Sequence, residues 1–71
     1  MTLYDLVTKI DGRPIVTVID EDGHRIFDGY PSMIGDADTM GINEAKAFDI
    51  EFFVLNSEAY DSDMVIYGHY I

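Results

Sequence analysis

This chain has 71 residues, and its 14 acidic against four basic side chains give a formal net charge of −10, although 48% of the residues are hydrophobic. That hydrophobic share favours a folded domain over a disordered acidic tail, whereas the shortage of Lys and Arg argues against direct binding to nucleic acid or to an anionic membrane. The absence of cysteine excludes disulfides and thiolate zinc sites and favours a reducing compartment, so we expect a cytoplasmic protein.

We expect residues 1–71 to form a single small acidic domain, because the chain is too short for two hydrophobic cores. The amino terminus, MTLYDLVTKIDG, has no basic segment ahead of an apolar run, so no secretory signal is predicted. No apolar run approaches the roughly 18 residues of a transmembrane helix.

The first predicted element is a short helix that begins after Thr2. Thr2 and Asp5 have the spacing of a capping box. Four apolar residues with helical spacing follow Thr2, namely Leu3, Leu6, Val7 and Ile10. We expect Gly12 to end the helix at its C′ position and Pro14 to prevent any continuation.

Residues 14–30 predict a β-hairpin around which the rest of the chain is organised. Two strand-like runs, 15–19 and 24–27, flank Asp22 and Gly23, which suit the positive φ angles of a two-residue turn. In that register the opposed residues are Ile19 with Ile26, Val18 with Phe27, and Asp20 with Arg25. Both faces are partly apolar, so the hairpin needs cover on both.

Residues 31–48 predict an irregular helical connection. Breaks at Pro31, Gly35 and Gly41 argue against a single long helix. We expect one helical turn after Pro31 and a short helix over residues 42–47.

Two further strands are predicted over residues 49–55 (DIEFFVL) and 64–71 (MVIYGHYI), joined by a polar loop. Alternation places Ile50, Phe52 and Val54 on one face of the first of them. The expected fold class is therefore α+β: a short N-terminal helix, a β-hairpin, an irregular helical connection and two further strands, forming a four-stranded, mostly antiparallel sheet.

The sequence offers only incomplete cation sites. The acids of the hairpin tip, residues 20–23, are suitable ligands for Ca²⁺ or Mg²⁺, but a polar hairpin tip explains them as well. Residues 36–41 begin like a calcium loop, yet Met40 and Ala47 occupy its fifth and twelfth places. The two histidines lack recognisable partners. We therefore predict no catalytic, cofactor-binding or metal-binding residue, and no enzymatic activity.

Acidic residues cluster where a fold of this kind is exposed, and they are the predicted binding residues. Together with one tyrosine, of a type enriched at binding hot spots, the predicted partner-binding set is Asp20, Glu21, Asp22, Asp49, Glu51, Glu58, Tyr60, Asp61 and Asp63. The expected partner is a basic protein surface. The alternative is that the acids only keep a hydrophobic small domain in solution.

The acids in this set are also the ground for a resemblance, through composition alone. In its size, acidity, lack of cysteine and order of elements, the chain resembles small accessory proteins of bacteriophages and prophages, among them anti-CRISPR and anti-restriction inhibitors. The resemblance implies a non-enzymatic, phage-encoded DNA mimic in the bacterial cytoplasm that covers the nucleic-acid-binding surface of a CRISPR effector or restriction nuclease. The alternative function is a homo-oligomeric structural or accessory module, with a strand edge within residues 64–71 pairing with its copy.

Overall fold

The structure is a computed structural model that describes residues 1–36 and 38–71. In chain order its elements are α1 (Leu3–Val7), β1 (Val16–Ile19), β2 (Arg25–Gly29), a 3₁₀ turn (Pro31–Met33), β3 (Ile34–Gly35), β4 (Met40–Gly41), α2 (Ile42–Lys46), β5 (Phe48–Ser57) and β6 (Ser62–Tyr70). In this part of the chain, none of the helices is both long and apolar enough to cross a membrane.

The main sheet has four strands in the order β2-β1-β6-β5, and β3 pairs with β4 in a separate parallel ribbon. The predicted α+β fold with four main strands is confirmed, but the sheet is mixed. Within it, β1–β2 and β5–β6 are antiparallel hairpins, while β1 and β6 run parallel. A parallel pair suits these two strands because every residue of β1 is buried, as expected of a strand covered on both faces.

One face of the sheet packs against both helices and the 3₁₀ turn. Its core contains Leu3, Val7, Val16, Val18, Phe27, Ile34, Met40, Ala45, Phe48 and Ile66. The predicted helical turn after Pro31 and the predicted short helix, observed as α2, are both present and both contribute to this core. Val16, Val18 and Phe27 place one apolar face of the hairpin in this core.

The predicted capping box opens α1. The backbone N–H of Asp5 donates to the Thr2 hydroxyl, and the N–H of Thr2 donates to the Asp5 carboxylate, each over 3.2 Å. The hydrogen bond from the Thr2 backbone holds the pKa of Asp5 below its usual 3.8. The helix ends at Val7, capped by Thr8, so the prediction that Gly12 ends it is wrong. Backbone hydrogen bonds of the i→i−3 type follow Val7 and tighten the last turn. The helix therefore ends earlier than the spacing of the apolar residues suggested.

The hairpin between β1 and β2 has a three-residue loop, not the predicted two-residue turn. The N–H of Asp20 donates to the carbonyl of His24 over 3.0 Å, and the loop closes at Gly23, whose φ is +83°. The Asp20 carboxylate accepts hydrogen bonds from the N–H groups of Asp22 and His24. It therefore does not form the predicted cross-strand pair with Arg25.

A β-bulge next to this loop corrects the predicted register. Ile19 lies opposite Arg25, and Val18 lies opposite Phe27, which leaves Ile26 as an extra residue in β2. The predicted pairing of Ile19 with Ile26 is therefore wrong, whereas that of Val18 with Phe27 is confirmed. The extra loop residue and the extra bulge residue shift the register in opposite directions. The predicted pairing of β1 with β2 therefore holds again from Val18 and Phe27 onwards.

A second bulge, at Glu51, divides β5 into two parts. Before it, Ile50 lies opposite Gly68 and packs against the core, whereas after it Phe52 lies opposite Tyr67. The rings of Phe52 and Tyr67 stack at 4.7 Å on the other face of the sheet. The prediction that Ile50 shares a face with Phe52 and Val54 is therefore wrong, because one inserted residue moves every later side chain to the opposite face.

The strand order also corrects the predicted edge. The strand predicted over residues 64–71 corresponds to β6. In the sheet, β6 is an inner strand between β1 and β5. Over residues 64–67, β6 is paired with β1 on one side and β5 on the other, so this part of the strand is not an edge. The outer strands are β2 and β5.

Gly68 provides a test of this packing. A Cβ at Gly68 would overlap the carbonyl oxygen of Asp49 and lie 2.6 Å from the Phe48 ring. We expect Gly68→Ala to lower the free energy of unfolding by about 2–3 kcal/mol, because strand β5 must shift to admit the methyl group. Gly41→Ala is the control, since its Cβ meets nothing within 4 Å, and it should cost less than about 1 kcal/mol. Urea unfolding measures both, and equal effects would contradict the packing.

Candidate functional site

The predicted partner-binding residues lie in two groups at opposite ends of the main sheet. The tip group, beside the β1–β2 loop and the start of β5, contains Asp20, Glu21, Asp22, Asp49 and Glu51. The turn group, at the β5–β6 turn, contains Glu58, Tyr60, Asp61 and Asp63. The β5–β6 turn follows the pair of Ser57 with Ser62, and the tip group begins level with Gly68, so six residue rises of β6, or about 20 Å, separate the two groups.

Four of the eight predicted acids already have intramolecular partners. Asp20 accepts two backbone hydrogen bonds within its own loop, and Asp63 accepts one of 2.8 Å from the N–H of Ile15. Asp49 lies 3.4 Å from the N-terminal ammonium, and Glu51 lies 3.1 Å from a histidine ring nitrogen on β6. Because these carboxylates hold the loop, the strand ends and the bulge in place, a structural role accounts for them.

The other four acids are exposed and have no side-chain hydrogen bond or ion pair within the described part of the chain. They are Glu21 and Asp22 in the tip group, and Glu58 and Asp61 in the turn group. Asp61 has a φ of 52°, a left-handed conformation in which Asn and Asp are enriched. These four side chains are the free carboxylates of the molecule's two ends.

Tyr60 connects the turn group to the rest of the sheet by contacting strand β2. The guanidinium of Arg25, on β2, lies 5.2 Å from the centre of the Tyr60 ring. Beside it, the buried hydroxyls of Thr17 and Ser62 share a hydrogen bond. These contacts give the turn a defined position. Together with the end of β5, the turn lines a shallow surface cavity of about 320 Å³.

The basic side chains do not neutralise these acids. Three of the four lie over tyrosine rings, with Arg13 at 4.7 Å from Tyr30, Arg25 at 5.2 Å from Tyr60 and Lys46 at 5.1 Å from Tyr4. Within residues 1–36 and 38–71, one ion pair involves Lys or Arg, the 3.3 Å contact of Arg25 with Asp28. The negative charge of both ends is therefore left to the solvent or to a partner.

The hairpin tip brings three possible metal ligands together. Atoms of Asp20, Asp22 and His24 lie within 4.8 Å of one another. The backbone hydrogen bonds that Asp20 accepts explain this clustering without an ion. The calcium-like segment 36–41 includes Ala37, which lies outside the described residues.

The structure also presents an apolar surface that the sequence prediction missed. Residues 52–55 of β5, here called the apolar edge, expose between 43% and 57% of Phe52, Phe53, Val54 and Leu55. Phe53 and Leu55 lie on the helix-bearing face, while Phe52 and Val54 lie on the other. The run of four apolar residues was visible in the sequence, but its exposure depends on β5 being an outer strand.

Tyr70, close to the tip group, makes the alkaline stability of the protein testable. Burial, together with a hydrogen bond that its hydroxyl donates to Glu44, raises the pKa of Tyr70 well above the usual 10.0. Since the folded state binds this proton more tightly than the unfolded state, stability is retained below pH 10 and falls as the pH rises above it. We expect Tyr70→Phe to weaken this alkaline loss, as followed by circular dichroism against pH. Tyr30→Phe is the control, and an unchanged profile for Tyr70→Phe would contradict the expectation.

Comparison with known proteins adds no assignment to these surfaces. The chain matches no protein-family model, no curated protein and no solved structure. The two carboxylate groups and the apolar edge are therefore the surfaces that bear on function.

Proposed function

We propose that this protein is a non-enzymatic inhibitor that binds the basic nucleic-acid-binding surface of a bacterial defence nuclease, such as a CRISPR effector or a restriction enzyme, in the bacterial cytoplasm. The observation that carries this proposal is the set of four exposed carboxylates at the two ends of the sheet, which have no side-chain partner within the described residues. The formal net charge is −10 after the four basic side chains are counted, and one of these, Arg25, is in an ion pair with Asp28.

The positions of the free carboxylates support binding in a groove that normally holds nucleic acid. Glu21 and Asp22 lie beyond one end of the span of β6 that separates the two groups, and Glu58 and Asp61 lie beyond the other, so about 20 Å or more of sheet separates the two pairs along the strands. A length of about 20 Å corresponds to about six base pairs of duplex DNA. A groove lined with Lys and Arg to hold such a duplex can therefore contact both groups at once.

The electrostatics of this contact set its kinetics. Opposite charges on the two proteins steer their encounter and raise the association rate. The free carboxylates are exposed, so salt screens them over about 8 Å at physiological ionic strength. Binding should therefore weaken as salt is added, and DNA should compete with the inhibitor for the same surface.

We expect the immobilised protein to capture nucleic-acid enzymes from a bacterial lysate at low salt, and both high salt and added duplex DNA to release them. The double variant Glu58→Gln/Asp61→Asn should lower capture several-fold, because it removes the free charges of the turn group, while Asn keeps the left-handed conformation at position 61. Mass spectrometry identifies the captured proteins, and cleavage assays on those enzymes then measure inhibition.

Glu21→Gln/Asp22→Asn tests the tip group in the same way. The single variants Glu58→Gln and Asp11→Asn are matched, since each removes one exposed acid and Asp11 belongs to neither group. Capture that survives both double variants, or that resists both salt and DNA, would contradict the proposal. An equal loss with Asp11→Asn would indicate a general charge effect instead of a site.

A further inference from the structure

The apolar edge supports an inference that does not depend on the proposed function. We propose that the apolar edge pairs antiparallel with that of a second copy of this chain, with the two-fold axis passing at Val54. Two four-stranded sheets then join into one sheet of eight strands. The pairing uses the outer side of β5, which is an edge strand.

The conformation of β5 limits the pairing to one short segment. On one side of this segment lies the bulge at Glu51, and before it the N–H of Ile50 donates to the carbonyl of Met1, so the N-terminal segment occupies that part of the edge. On the other side, Asn56 has a left-handed φ of 55°. Alternate backbone groups between these limits face away from β6 and are open to a partner strand.

Symmetry and side-chain direction select the register. Opposed residues of an antiparallel pair lie on the same face of the sheet, so a two-fold axis must pass at a residue and not between two. With the axis at Val54, Phe53 of each copy lies opposite Leu55 of the other, and Val54 lies opposite itself. Phe52 then lies opposite the left-handed Asn56, where regular pairing ends, so three residues of each copy pair. An axis at Phe53 would instead place the Glu51 carboxylate opposite Leu55.

The charge of the chain is compatible with this register. Residues 52–57 contain no charged side chain. The nearest carboxylates in the chain, Glu51 and Glu58, lie outside the segment that pairs, so no carboxylate opposes a carboxylate within it. The remaining acids repel through longer distances that salt screens. The dimer therefore tightens as salt is added, whereas the proposed contact with a basic partner weakens.

The buried area fits a reversible dimer. The exposed halves of Phe52 and Phe53 amount to about 200 Å² in each copy. Covering all of the exposed area of residues 52–55 in both copies buries at most about 800 Å². That is less than the roughly 1,000 Å² of a stable interface, so the dimer is weak and transient. The apolar side chains on both faces of the segment require a partner strand that is apolar on both faces, and the same segment of a second copy meets that requirement.

Single cysteines test the register, because the chain has none of its own. Oxidation should link Val54→Cys into a covalent dimer, since the two copies of this residue meet at the axis. Phe53→Cys and Leu55→Cys should link poorly alone but efficiently when mixed with each other. Ile42→Cys is the control, because Ile42 is as exposed as Val54, at 43%, but lies on α2. Linking of Ile42→Cys as efficient as that of Val54→Cys would overturn the proposal.

Light scattering after size exclusion tests the dimer without cysteine. The dimer fraction should rise with protein concentration and with salt, and Leu55→Lys should abolish it while circular dichroism stays unchanged. A chain that remains monomeric at millimolar concentration in high salt would overturn the proposal and leave the apolar edge to a strand of another protein. A dimer that survives Leu55→Lys would likewise overturn it, since the contact must then lie elsewhere.

Discussion

The parallel pairing of β1 with β6 is the contact on which the rest of the structure depends. It joins two β-hairpins, each of which would be marginal in isolation, and it brings Val16 and Val18 beside Ile66 in one buried face. The two helices have five residues each, too few to persist without packing against this face. Because the pairing makes β1 and β6 inner strands, it also determines that β2 and β5 form the edges available to other molecules.

Local signals in the sequence predicted most of the elements, and non-local geometry accounts for the errors. The capping box at Thr2, the helical turn at Pro31 and the four main strands each depend on residues close together in the chain, so all were predictable. The wrong registers come from two inserted residues, Ile26 and Glu51. Bulges of this kind respond to the twist of the whole sheet, which a linear pattern does not contain.

The candidate surfaces were predictable in composition but not in arrangement. The sequence indicated a strongly acidic surface, yet it did not show that Asp20 and Asp63 are committed to backbone hydrogen bonds. Nor did it show that three basic side chains lie over tyrosine rings. The apolar edge was missed for a related reason: the order of strands distant in sequence decides which strand lies outermost.

The two interruptions of β5 have a consequence for protein deposition. Cross-β fibrils grow from flat segments of about six or seven residues with strong strand preference and little charge. The bulge at Glu51 and the left-handed Asn56 confine the regular part of this strand to residues 52–55, which is too short to template such growth. The part of β5 that exposes two phenylalanines is therefore shorter than the segments from which such fibrils grow.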